Sequence, residues 1–147
     1  MTIHAICKGN TFRSRLTEAY LNSKQIPNLK VISSGIEAEN NLSGPITWYA
    51  QRMIQQDKLV PFEKPVWEQT TKILLDEGDL TIFMSSDIYD FCVERFGFNS
   101  KNFQIWGARD IEKPLFKTAE EEAQKVEQAE KVFEEIKQKV DELIKSL

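Results

Sequence analysis

The stretch Ile3-His4-Ala5-Ile6-Cys7-Lys8-Gly9-Asn10-Thr11-Phe12-Arg13-Ser14 decides how the rest of the chain is read. Residues 3–6 are short and apolar, as buried parallel strands are, and a tight loop and then a helix beginning near Arg13 follow. Cys7 stands where the strand ends, and Arg13 and Ser14 complete a Cys-x5-Arg-Ser spacing. A loop this short curls its backbone N–H groups inward, and the helix N-terminus behind it adds to the same positive field. That field favours a thiolate at Cys7. Arg13 offers a planar fork for two phosphate oxygens, which a lysine does not match. Gly9 lets the backbone turn tightly against an anion, and the Ser14 hydroxyl is placed to donate to the sulfur. Lys8, Gly9, Asn10, Thr11, Phe12, Arg13 and Ser14 are therefore the expected phosphate-binding residues, with Cys7 as nucleophile. The competing reading is a structural cysteine closing a strand, with Arg13 and Ser14 an ordinary first helical turn.

At these residues the chain resembles the low-molecular-weight protein tyrosine phosphatases, in which a hydrophobic strand runs into Cys-x-Gly-Asn-x-Cys-Arg-Ser-Pro with Ala-Glu shortly after. Cys7, Gly9, Asn10, Arg13, Ser14 and Glu18 match. Phe12 stands at the second cysteine, Arg15 at the proline and Thr17 at the alanine. The resemblance extends over nearly the whole chain. It implies phosphomonoester hydrolysis through a cysteinyl-phosphate intermediate, with no cofactor and no metal.

The bulk composition agrees with such a domain. At 147 residues the chain fits one domain with a real core, here residues 1–147. A net charge of −4 excludes a global field for nucleic acid or anionic membrane, so phosphate binding has to come from local geometry. No segment is long and apolar enough to span a bilayer, and no secretory signal precedes the first strand. Two cysteines, Cys7 and Cys92, do not make a disulfide scaffold, so a cytoplasmic protein with free thiols is expected.

Along the chain, a helix is predicted from residue 13 to about 24, with Leu16, Ala19 and Tyr20 on one face. A second strand covers 29–33 and runs into Ser33-Ser34-Gly35, which fits the Ser-Ala-Gly loop beside the phosphate site in the resembled family. Residues 37–43 form a polar loop without the aromatic wall that the family usually carries there. Gly44-Pro45 opens a helix to about Gln56, and 66–76 reads as another. Strands at 80–84 and 103–106 flank a helix at 88–96 that holds Cys92 as a small buried hydrophobe. Thr118-Ala119-Glu120-Glu121 is a capping box that starts a long last helix, with Val126, Ala129, Phe133, Ile136, Val140 and Leu143 as its apolar stripe. Its length leaves a monomer or a weak homodimer open. His4, the only histidine, is expected to pack or hydrogen-bond locally. The order of elements predicts a single-domain α/β fold, a four-stranded parallel sheet with helices on both faces and the phosphate loop after strand 1.

One position departs from the resemblance. The family's general acid lies in an Asp-Ile-Pro-Asp-Pro-Tyr loop, directly before the second proline. The loop here reads Asp110-Ile111-Glu112-Lys113-Pro114-Leu115-Phe116, so Lys113 takes the acid's position and Asp110 matches the family's earlier aspartate. Asp110, Glu112, Lys113 or no residue at all stands as the proton donor, and Asp110 is the better placed of the two acids. The expected ligand is a phosphorylated protein or a small-molecule phosphate. The alternatives are a degenerate phosphate- or phosphotyrosine-binding module with little turnover, and arsenate reduction, which needs more thiols than Cys92 supplies.

Overall fold

In the computed structural model, which describes residues 1–111 and 118–147, the sheet is built outward from β1 (Thr2–Cys7). β2 (Lys30–Gly35) pairs with one side of it and β3 (Leu80–Phe83) with the other. β4 (Phe103–Ile105) extends the sheet past β3, so the order is β2-β1-β3-β4 and every pairing is parallel. The chain reverses its direction of travel across the sheet between β1 and β3. The loops leaving the carboxyl ends of those two strands therefore part and open a crevice.

Period-two alternation along β1 divides the core. Ile3, Ala5 and Cys7 face a cluster made with Leu16 of α1 (Arg13–Ser23), Ile54 of α2 (Trp48–Gln56) and Ile136 of α5 (Ala119–Ser146). Ile6 faces the opposite way, into a cluster with Phe83, Leu75 of α3 (Lys72–Asp76), and Ile88 and Cys92 of α4 (Ser86–Phe96). Helices thus cover both faces. Cys7 and Cys92 lie in different clusters.

α5 begins as its capping box requires, Glu121 N donating to Thr118 Oγ1 at 3.1 Å. Ala129, Phe133, Ile136, Val140 and Leu143 of the expected stripe are buried, Val126 is half-buried, and Val132 joins them. Two predicted helices are shorter than their patterns. Of 66–76, only Lys72–Asp76 is helical. Residues 66–71 run beside the end of β2, where Gly35 N donates to Glu68 O and Thr70 N to Gly35 O, both at 2.9 Å. Those backbone groups are satisfied by a strand more than thirty residues away, and this pairing overrides the local helical pattern. The helix expected from Gly44 starts at Trp48, with Thr47 extended at its N-cap; Thr47 is held elsewhere, by Thr11.

Candidate active site

The loop 7–13 is shaped from outside. Ile36 N donates to Cys7 O at 3.0 Å and Glu37 N to Lys8 O at 2.8 Å. Arg15 Nη1 donates to Asn10 O at 3.2 Å, and Thr47 donates to Thr11 O through both its N–H and its hydroxyl, each at 3.0 Å. In a planar trans peptide the N–H points opposite to the C=O. Each carbonyl tied outward therefore turns the next residue's N–H inward, making Lys8, Gly9, Thr11 and Phe12 donors toward one centre. Asn10 N already donates to Cys7 Sγ at 3.2 Å. α1 continues the pattern: its N-cap residue, Phe12, makes no capping bond and its first turn holds no acid, so its free N–H groups remain available to an anion.

Two residues make this tight curl possible. Asn10 takes φ = 53°, in the left-handed region that asparagine tolerates better than most residues. Gly35 lies against the loop's back: a Cβ there would sit 2.6 Å from Asn10 N and 2.7 Å from Lys8 O. The register pairs Cys7 of β1 with Gly35 of β2, so the neighbouring strand brings the glycine's space to the back of the loop.

Behind the sulfur runs a buried chain of hydrogen bonds. The fully buried Asn10 side chain donates to Ser14 Oγ at 2.7 Å and to Ser33 Oγ at 2.9 Å, and accepts from Glu68 N at 2.8 Å. Ser33 in turn donates to Glu18 Oε1 at 3.0 Å. Ser14 Oγ lies 2.8 Å from Cys7 Sγ. Ser14 Oγ accepts from Asn10, and its own proton can go to the sulfur, where it stabilises negative charge, or to Ser34 O at 3.5 Å. Asn10 and Ser14 thus stand behind the cleft, whereas Cys7, Lys8, Gly9, Thr11, Phe12 and Arg13 line it. The Lys8 side chain is exposed and turned to Glu37 at 3.7 Å, so its backbone is the part that faces the anion site.

The cleft above the loop has a volume of about 390 Å³. Arg13 is buried along one wall, its Nη1 donating to Ala108 O at 3.0 Å, and its Nη2 lies 3.5 Å from Asp110 Oδ2. The stretch after β4 therefore aims the guanidinium with one group and faces it with another. Asp110 lines the same cleft as Cys7. Glu112 and Lys113, the other candidates for proton transfer, lie outside the described residues. Among the described residues the other walls include Tyr49, edge-on to Phe12, Thr47, Ile111, and the polar loop's Glu37, Asn40, Asn41 and Leu42. Burial pushes the Tyr49 phenol up to about 12, and the Asp110 charge adds to the effect.

The surroundings carry other perturbed groups. Burial lowers the His4 pKa to about 3, helped by Lys64, and the neutral ring bonds Ser34 Oγ through Nε2 at 2.7 Å. This is the local packing role expected of it. Burial raises the Glu18 pKa against the pull of Lys64 and Ser33. Sequence reasoning places Gly35 beside the site but misses Arg15, Thr47, Tyr49 and Ser85, whose Oγ accepts from Arg13 Nη1 at 3.4 Å. The one local signal was at Arg15: bases, not acids, fill the first turn of a helix.

A thiol on the floor of an inward-facing amide cradle, with a guanidinium beside it, defines a cysteine-based phosphate site. The chain belongs to the low molecular weight phosphotyrosine protein phosphatase family, whose model matches residues 2–147. It is accordingly a cysteine-dependent phosphatase. The arginine phosphatase YwlE from Geobacillus stearothermophilus has the same fold at 25% identity and a TM-score of 0.74, over 99% of this chain and 91% of that one. Two further structures share the fold alone. Wzb from Vibrio vulnificus, solved with benzylphosphonate, is 22% identical with a TM-score of 0.77, over 99% and 98% of the two chains. A low molecular weight protein tyrosine phosphatase from T. tengcongensis is 21% identical with a TM-score of 0.78, over 100% and 99%. No curated protein sequence matches the chain. Among the described residues no helix is long and apolar enough to cross a membrane.

Proposed function

We propose that Cys7, Arg13 and Asp110 carry the hydrolysis of a phosphomonoester in a cytoplasmic setting. The Cys7 thiolate attacks phosphorus while Arg13 and the loop amides hold the non-bridging oxygens. As the phosphorus–oxygen bond to the leaving group breaks, the Asp110 carboxylic acid gives its proton to that oxygen. Water then attacks the cysteinyl phosphate and loses its proton to the Asp110 carboxylate. The sulfur–phosphorus bond breaks, and inorganic phosphate and the thiolate are released. The observation that carries this reading is the meeting of Asp110 with Arg13 at 3.5 Å in the cleft that Cys7 floors.

The test is steady-state hydrolysis of an activated aryl phosphate beside phenyl phosphate. Cys7→Ser abolishes both, and Arg13→Lys loses most affinity for phosphate or vanadate. Asp110→Asn lowers kcat about a hundred- to ten-thousand-fold on phenyl phosphate and less on the activated ester, whose phenoxide leaves unaided. Full phenyl phosphatase activity in Asp110→Asn would remove Asp110 from the mechanism.

A second substrate is favoured by the cleft's composition. The polar loop offers Glu37, Asn40 and Asn41 and no aromatic, and Asp110 lines the same cleft. Two carboxylates and two amides suit a cationic leaving group such as the guanidinium of phosphoarginine, on which the YwlE relative is named to act. Paired peptides carrying phosphotyrosine or phosphoarginine decide between them by kcat/KM.

A further inference from the structure

Arg15 is buried to 1% exposure one turn into α1, yet among the described residues none of its hydrogen bonds goes to a carboxylate. Its guanidinium instead donates to three main-chain carbonyls from three separate segments. Nη1 reaches Asn10 O at 3.2 Å in the phosphate loop and Pro45 O at 2.8 Å in the approach to α2. Nη2 reaches Lys64 O at 2.5 Å. Burying a cation is costly, and Glu18 and Glu63 offset the cost only from a distance. A group retained on such terms has to hold something in place.

We propose that Arg15 is a positioning residue for the phosphatase reaction, aiming the Thr11 amide at the bound phosphoryl group by fixing the Asn10 carbonyl away from it. The inference rests on the phosphatase reading above. Among the described residues the peptide between Asn10 and Thr11 has one outward contact at its carbonyl, and that contact is Arg15. With the carbonyl free to rotate, the same peptide could turn its oxygen toward the phosphate oxygens and repel them. The next peptide is fixed similarly by Thr47, and Arg15 also holds Pro45, two residues before Thr47. One guanidinium thus steadies two successive amides, the first directly and the second through the segment that carries its clamp. Only a planar fork spans these acceptors; an ammonium on a single stem reaches fewer of them.

The experiment compares wild type with Arg15→Lys by calorimetric titration of inorganic phosphate, by kcat and KM on an aryl phosphate, and by amide spectra of 15N-labelled protein. A hydrogen bond to a charged group is worth a factor of about ten or more. Arg15→Lys, folded by circular dichroism, is therefore expected to bind phosphate about tenfold more weakly, to lose kcat by a similar factor, and to show a reduced phosphate-induced shift at Thr11. A folded variant with wild-type phosphate affinity and kcat overturns the proposal. If Arg15→Lys does not fold, wild type decides alone: a Thr11 amide that moves on phosphate titration supports the assignment, and one that stays still while Gly9 moves overturns it. Absence of any phosphate response in residues 7–14 of wild type is a separate result, which overturns the phosphatase reading together with this one.

Discussion

Arg13 and Asp110 face one another at 3.5 Å in the cleft, a cation nearly buried and a carboxylate about half exposed. An incoming phosphate group needs the same guanidinium nitrogen, so Asp110 competes with the anion until the anion displaces it. Asp110→Asn is therefore expected to bind vanadate several-fold more tightly while losing turnover. Exposure of the carboxylate keeps the gain modest, since water and salt screen it. Calorimetric titration of both proteins with vanadate checks this; weaker binding by the variant would assign Asp110 to holding Arg13 in place.

Gly35 is expected to admit no side chain. A Cβ 2.6 Å from Asn10 N and 2.8 Å from Gly9 C meets backbone, which has nowhere to move without opening the loop. Gly35→Ala should cost about 1–3 kcal/mol of stability and weaken phosphate binding more than the loss of stability alone accounts for. Thermal melts with and without phosphate measure both. An alanine variant with wild-type phosphate affinity would show that the loop tolerates displacement.

His4 gives the acid limb of stability a defined sign. Its folded pKa, about 3, lies below its ordinary 6.5, so the unfolded chain binds the proton more readily. Its contribution is present above pH 6.5 and is lost as the pH falls toward 3, with a total on the order of a few kcal/mol. Glu18 works in the opposite sense. Burial raises its pKa, so the folded state keeps a proton that the unfolded chain gives up above about pH 4.5, and that contribution fades as the pH rises through the folded value. Denaturant titrations between pH 3 and 7 should show a shallower acid loss in His4→Gln than in wild type. Parallel curves would mean that other groups dominate.

Oxidation of Cys7 is expected to proceed without rescue. The family's second loop thiol is replaced by Phe12, and Cys92 is sealed on the other face of the sheet, its thiol pushed up to about 12 by burial. Peroxide should drive Cys7 through the sulfenic to the sulfinic acid, visible as two added oxygens in the mass spectrum, with no internal disulfide. Phe12→Cys should restore recovery by dithiol reductant. Full recovery of the wild-type enzyme after prolonged peroxide would contradict this.

The parts of the fold read most accurately from sequence are those decided within a dozen residues. Strand, loop and helix around Cys7 follow from a short apolar run, a glycine and a spacing, and the last helix follows from its capping box and stripe. Residues 66–71 misled because their pattern is helical but their partner is Gly35, and no local signal announces a strand end thirty residues upstream. Thr47 is invisible for the same reason, and Arg15 shows only as a base in the first turn of a helix: each acts on a carbonyl, and carbonyls leave no trace in residue identity. At the acid loop, alignment on Pro114 sets Lys113 at the family's acid. What brings Asp110 into the site is the hold of Ala108 O on Arg13, a contact between residues 95 positions apart.

The tethers on the phosphate loop also bear on how the protein gains its function during folding. Loop 7–13 is short, but its carbonyls are held by residues 36, 37 and 47, its asparagine by residue 68, and its arginine by residue 108. Closing such distant contacts costs chain entropy before any of them is rewarded. The cradle is therefore among the last features to become ordered, and an oxyanion that binds it stabilises the whole sheet by mass action. A phosphate-dependent rise in melting temperature would then report on the completeness of the fold, and the enzyme's product would act as a ligand that favours its own catalyst's native state.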